Sequence, residues 1–184
     1  MKKKRLLMHC CCAPCSTTAI FSFFNDYDIT LCYYNPNTYP LDEYNKRKVE
    51  VLKLIDQLRN EGIEVGYIEP EYDCEIFEEK VIELQKEKEG GKRCEVCFNL
   101  RLSKTAEIAK EKGFDLFATT LTVSPHKNAK LINEIGENLA KTHKIEYLST
   151  DLKKNDGYKK SVELSKKYDL YRQNYCGCKY SIWW

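Results

Sequence analysis

The stretch Arg5-Leu6-Leu7-Met8-His9-Cys10-Cys11-Cys12-Ala13-Pro14-Cys15 decides how the chain is read. Its first half, Arg5–Cys10, is a short apolar run of the kind that forms a strand buried on both faces. Its second half breaks that run with cysteines and a proline. Cys15 then opens a helix, which the apolar segment Ala19–Phe24 continues. A strand that passes through a tight loop into a helix is the repeating unit of a parallel sheet.

The unit recurs down the chain. Further strands are expected at Ile29–Tyr34, Ile63–Ile68, Leu116–Thr120 and Ile145–Leu148. Helices are expected at Asp42–Glu61, Asp73–Glu87, Cys94–Lys112, Asn128–Lys141 and from about Gly157 to Tyr168. Phe98, Leu102, Ala106 and Ala109 mark the buried side of one of them, and Gly62 and Gly113 end two. The alternation predicts an α/β protein with a parallel five-stranded sheet and helices on both faces. With 184 residues and 42% apolar composition, the chain suits a single domain spanning 1–184. Its basic C-terminal segment, from about 153, carries the last cysteine pair.

In such sheets, functional groups gather beyond the carboxyl ends of the strands. Strand one runs into the cysteine loop, strand two into Asn35-Pro36-Asn37, strand three into Asp73, strand four into Thr119 to His126, and strand five into Asp151. The unusual residues therefore fall where a site is expected.

The chain has 10 cysteines. No apolar run of ~7–15 residues with a small-residue cleavage site marks a secretory leader, and no run approaches the ~18 residues of a membrane helix. A cytoplasmic location is expected, where thiols stay reduced and clustered cysteines read as metal ligands or redox groups. Seven fall in three groups: Cys11, Cys12 and Cys15; Cys94 and Cys97; Cys176 and Cys178. Cys10, Cys32 and Cys74 read as packing residues. Seven thiols exceed the four of one structural zinc; they match a four-cysteine cluster plus a three-ligand metal with an open position. Cys94 and Cys97 at a helix start should meet the positive end of its dipole. Gly177 lets Cys176 and Cys178 face one centre. A zinc site made of two cysteine pairs, dithiol redox chemistry at Cys12-Ala13-Pro14-Cys15, and disulfides are the other readings of the same thiols. The C-x3-C-x2-C triplet of radical enzymes is absent.

Around the thiols, Ser124, His126 and Lys127 form either an anion seat or a helix-capping segment. His9 is either a hydrogen-bonding partner of a metal-bound sulfur or a buried strand histidine. Asp73 is a ligand, a proton donor or a helix cap. Arg47 and Arg101 are phosphate contacts or solvated side chains. From Glu61 to Cys97, twelve acidic and five basic residues give −7; from Lys153 onward, eight basic and three acidic give +5. The basic end also carries Tyr158, Tyr168, Tyr171, Arg172, Tyr175 and Tyr180, a mixture suited to unstacked nucleic-acid bases or to a solvated helix. Gly90-Gly91-Lys92 lacks phosphate-loop spacing, and no G-x-G-x-x-G follows a strand. Electrons for any reduction would come from a separate donor.

Several motifs in order resemble the QueH family of epoxyqueuosine reductases. They are His9-x-Cys11-Cys12-Ala13-Pro14-Cys15, Asn35-Pro36-Asn37, Glu43-Tyr44, Arg93-Cys94-x-x-Cys97-Phe98, Arg101-Leu102, Thr119-Thr120-Leu121, Ser124-Pro125-His126-Lys127, and Tyr171-Arg172-Gln173-x-Tyr175-Cys176-Gly177-Cys178. The resemblance runs from residue 5 to about 181. Cys10 takes the variable position after the histidine, and the tail Ile182-Trp183-Trp184 has no assignment.

The resemblance implies a HUP-type (adenine-nucleotide α-hydrolase-like) three-layer sandwich. It implies reduction of the epoxide of epoxyqueuosine in tRNA to the alkene of queuosine, the last step of queuosine synthesis. It further implies a 4Fe-4S cluster and a mononuclear iron held by Cys11, Cys12, Cys15, Cys94, Cys97, Cys176 and Cys178. The expected mechanism has the lone iron as a Lewis acid toward the epoxide and takes electrons from a donor such as ferredoxin or flavodoxin. His126, Lys127 or Asp73 would supply protons. Asn35, Arg101, Thr119, Ser124, Tyr171 and Arg172 are the expected substrate contacts at the anticodon loop. A zinc-stabilised RNA-binding module and a thiol-based tRNA sulfur-transfer enzyme are the rival readings.

Overall fold

The computed structural model describes residues 2–182; Trp183 and Trp184 of the unassigned tail lie outside the described residues. Five strands form one sheet: β1 Lys4–His9, β2 Tyr27–Cys32, β3 Gly66–Ile68, β4 Leu116–Thr119 and β5 Glu146–Tyr147. All pairings are parallel, in the order β3-β2-β1-β4-β5. The helices are α1 Ala13–Phe23, α2 Leu41–Asn60, α3 Cys74–Val81, α4 Lys92–Glu111, α5 Ala129–His143 and α6 Gly157–Lys167. The expected α/β sandwich is the observed one.

β1 lies at the centre, and its alternation divides the core. Leu6 and Met8 pack with Ile29, Leu31 and Ala118 against Ile20 of α1, Leu54 and Leu58 of α2, and Leu164 of α6. Leu7 and Phe117 face the other way, onto Phe98, Leu102 and Ala106 of α4 and Ile132 and Ile135 of α5. Each fully buried side chain of this size contributes about 1.5–3 kcal/mol. The register Leu6↔Ile29 and Met8↔Ala118 keeps the two apolar sets apart.

Four elements depart from their expected bounds. α1 begins at Ala13, earlier than the apolar segment alone suggests, because Pro14 occupies its first turn, where a missing N–H costs nothing. β3 and β5 are the sheet's edges and shorten to three and two residues. The helix expected over Asp73–Glu87 stops at Val81 and tightens into a 3-10 turn at Ile82–Leu84. Its continuation is prevented by Arg93, whose Nη1 takes the carbonyls of Leu84 (3.3 Å), Gln85 (2.9 Å) and Glu87 out of any helical ladder.

Among the described residues, no helix is long and apolar enough to cross a membrane.

Candidate metal and substrate site

The loop leaving β1 turns directly into α1, and the turn brings three thiols together. The ligand atoms of Cys11, Cys12 and Cys15 all lie within 4.8 Å of one another, as a metal site requires. The Cys11 and Cys12 sulfurs are 3.8 Å apart, and Thr120 donates its hydroxyl to Cys11 Sγ at 3.3 Å. Cys11 and Cys12 are buried and Cys15 is partly so. The Cys11 thiol is held well below the usual range. Hydrogen bonds from Cys12 and Cys15 are the main cause, and Lys127 and Arg101 add positive charge. The same contacts push Cys15 well above its usual value, and Cys12 above as well. Three sulfurs this close, two of them buried, cannot all ionise unless a cation sits among them.

Cys94, Cys97, Cys176 and Cys178 line a second, smaller pocket of about 80 Å³, together with Asn37, Arg93 and Arg101. Cys94 lies in the first turn of α4, and its sulfur accepts the Gly90 N–H at 3.1 Å. Cys97 lies one turn further on, beyond the free N–H groups, so the helix dipole does not serve both thiols as expected. Arg101 Nη1 reaches its sulfur instead, at 3.8 Å. Burial pushes the Cys178 thiol up to about 12, with Cys176 adding to the rise.

The Cys176-Gly177-Cys178 segment is fixed from outside. Arg47 is 3% exposed and donates from Nη1 to Cys176 O and from Nη2 to Tyr175 O, both at 3.2 Å. Its Nε pairs with Glu43 at 2.7 Å. Arg47 is therefore not a solvated side chain, and it also stands in the wall of the wider cleft described below. Gly177 has φ of +104°, and a Cβ there would stand 3.0 Å from both Arg47 Nη1 and Thr38 Oγ1, so glycine is required.

A junction of buried polar groups links the two thiol sets. Arg101 donates from Nε to His9 Nε2 at 3.2 Å and from Nη2 to Asn35 Oδ1 at 2.6 Å. Since arginine only donates, His9 Nε2 must accept, and Nδ1–H then donates to Thr119 Oγ1 at 3.0 Å. Burial, then the neighbouring Arg101, lower the His9 pKa to about 3. Asn35 closes the junction by donating to Cys10 O at 2.9 Å. His9 thus binds no sulfur, and it acts as a buried strand histidine. Asn35 and Thr119, expected at the substrate, are 1% exposed, spend their side chains inside the junction and line neither cavity.

The wider cleft, about 420 Å³, is lined by Cys11, Cys15, Ser124, His126, Lys127, Tyr158, Arg172, Tyr175 and Cys176, among others. It shares Glu89, His126, Lys127 and Cys176 with the smaller pocket, so the two adjoin. Burial alone would lower the Lys127 pKa; the facing Cys11 and Cys15 sulfurs outweigh it and hold the ammonium above its usual value. Lys153 donates to Lys127 O at 2.8 Å and steadies the loop. His126 is exposed at the cleft mouth. Arg172 is exposed and donates to Ser161 O and Ser165 Oγ, with its guanidinium 5.7 Å from the Tyr158 ring.

Tyr171 and Asp73 line neither cavity. The Tyr171 hydroxyl donates to Glu43 at 3.2 Å, and the Lys46 ammonium sits 3.5 Å over its ring. Asp73 precedes α3 without capping it by a side-chain bond, and one of its carboxylate oxygens is buried without a partner. Cys10 and Cys32 are fully buried packing residues; Cys74 is half-buried at the start of α3. Glu89 and Asn37 were not anticipated in the cavities. Asn37 stands in the Asn-Pro-Asn segment, but nothing in the sequence marks Glu89, which a loop brings in.

Fold and site together define a parallel α/β protein whose first strand-to-helix loop gathers thiols able to hold a metal ion beside a basic, tyrosine-lined cleft. The family profile described as epoxyqueuosine reductase QueH matches residues 6–183. Epoxyqueuosine reductase QueH of Streptococcus pyogenes is 45% identical over 177 residues, covering 96% of this chain and 69% of that protein. The protein of the same name from Thermotoga maritima is 37% identical over 180 residues, covering 96% of this chain and 90% of its own. The chain belongs to the QueH family of epoxyqueuosine reductases, which are oxidoreductases. In fold it is similar to a predicted subunit of tRNA methyltransferase from Methanocaldococcus jannaschii (TM-score 0.52, 14% identity, covering 90% of this chain and 74% of the other).

Proposed function

We propose that this chain reduces the epoxide of epoxyqueuosine in tRNA to the alkene of queuosine, using metal held by its seven clustered thiols. One observation carries the reading: of three thiols within 4.8 Å of each other, Cys11 and Cys15 line a cleft that adjoins the pocket lined by four more, with Cys176 on the wall of both. The donor set is all sulfur, which suits soft metals and iron clusters. Its division into three and four matches a mononuclear iron with an open position, held by Cys11, Cys12 and Cys15, and a 4Fe-4S cluster, held by Cys94, Cys97, Cys176 and Cys178. Bound there, these groups supply electrons and an electrophile for an epoxide oxygen.

The rest of the chemistry falls to side chains. Removing the epoxide oxygen as water takes two electrons and two protons. Lys127 holds a proton on Nζ at the wall shared by both cavities, and His126 at the mouth can replace it from solvent. Asp73, which lines neither cavity, leaves that work to them. Tyr158 and Tyr175 offer faces for an unstacked base, Arg172 and Ser124 offer donors for its phosphates, and the cleft volume falls in the ~300–1,000 Å³ range of small-molecule sites. The basic segment from Lys153 onward lies against the anticodon stem. An external donor such as ferredoxin or flavodoxin delivers the electrons, in the reducing cytoplasm that keeps seven thiols free.

The test is anaerobic reconstitution with iron and sulfide, then incubation with epoxyqueuosine-containing tRNA and a reduced donor. A brown protein that converts the nucleoside to queuosine is expected. A colourless protein with stoichiometric zinc and no conversion would sink the reading.

A further inference from the structure

Arg101 is 3% exposed and, among the described residues, bonds no carboxylate: its partners are His9 Nε2, Asn35 Oδ1 and Cys97 Sγ. A guanidinium cannot shed its proton, and a buried charge without a counter-charge is costly. Arg93, 1% exposed on the same helix, gives its Nη1 to three backbone carbonyls and likewise lines the smaller pocket. Two buried cations therefore face four thiols, and beside the Cys11 sulfur and the Glu89 carboxylate at the pocket wall they suit a negatively charged group held by those thiols.

Of the two, Arg101 is the one that touches a sulfur, and it is fixed at every end. Nε rests on the histidine that ends β1, Nη2 rests on the residue clamped to Cys10 O, and Nη1 points at Cys97. The planar fork meets three separate partners, which a lysine ammonium on a flexible stem does less rigidly. We propose that Arg101 is a positioning residue that raises the reduction potential of the metal centre in the four-thiol pocket through a fixed, buried positive charge. The inference rests on the reading above that this pocket holds a redox-active centre. Adding an electron to a thiolate-bound centre makes it more negative, and a cation held beside it in low dielectric favours that state.

The experiment is a redox titration, followed by electron paramagnetic resonance, of the full chain reconstituted anaerobically with iron and sulfide. In R101Q the midpoint should move negative, with electron acceptance at fixed donor potential falling about ten-fold, or ~59 mV for one electron, at unchanged iron content. R101K, which keeps the charge, should titrate near the wild type. N35D sets a carboxylate against Nη2 without removing the arginine and should shift the midpoint the same way; it decides the matter if R101Q takes up no iron. Wild-type potentials in the iron-loaded variants overturn this proposal and leave the functional reading standing. A wild type that takes up no redox-active centre overturns both.

Discussion

Cys11, Cys12 and Cys15 come from one turn between β1 and α1, whereas Cys94, Cys97, Cys176 and Cys178 come from segments far apart in the chain. The first set needs only the central strand and a helix that starts on time; Pro14 and the Thr120 hydroxyl complete it. The second set exists only because the C-terminal segment is brought to α4 and held there by Arg47, by Gly177, and by the Tyr39 N–H bonded to Gly177 O at 2.8 Å. One site is thus a local property of the sequence and the other a property of tertiary structure, and damage to them should separate.

The largest effect is expected in the local set. C12S should take reductase activity down to assay background. The visible absorbance owed to the four-thiol pocket should survive, since none of its lining comes from the β1 loop. Equal loss of iron from both sets in metal analysis would break the comparison. The reverse experiment is R47M. Arg47 is 3% exposed and its partner Glu43 12%, so deleting the cation leaves a largely buried carboxylate with only the neutral Tyr171 hydroxyl to bond it, and two backbone carbonyls without the donors they had. Losing one member of such a pair costs about 3–5 kcal/mol, to be read by denaturant unfolding. Iron uptake by the four-thiol pocket should fall while the trio keeps its metal.

The same contrast explains what was legible in the sequence. The trio could be read directly, because a strand–cysteine–proline–helix string fixes its own geometry. The five strands and six helices were legible for a similar reason: apolar periodicity reports which side of an element is buried. The three-and-four division of the thiols was not, because it depends on where Cys176 and Cys178 dock, and docking is decided by Arg47 and the Tyr39 backbone, far away in the chain. Asn35, Thr119 and Arg101 were visible as unusual polar residues at strand ends or the following helix. Their direction was hidden, and they turn inward onto one another. Asp73 looked like a site residue because it follows β3, but β3 is an edge strand, and Asp73 lines neither cavity.

The smallest expected effect lies at the junction between the two sets. His9 titrates at about 3 in the folded protein because it is buried and because Arg101 stands beside it; in the unfolded chain it titrates near 6.5. Between those values, the unfolded chain binds a proton that the folded chain refuses. Stability therefore falls as pH falls, by at most ~1.4 kcal/mol per pH unit, and above 6.5 the contribution is flat. H9Q deletes the proton site and retains an amide that can bond Arg101 or Thr119. It should lower stability at pH 7.5, where a junction bond is lost, yet flatten the dependence between pH 6.5 and 4.5. Urea unfolding of both proteins under anaerobic conditions across that range gives the two slopes. Parallel curves would mean that His9 carries a proton in the folded junction, in which case its Nε2 could not accept from Arg101 and the bridge between the two thiol sets would have to be redrawn.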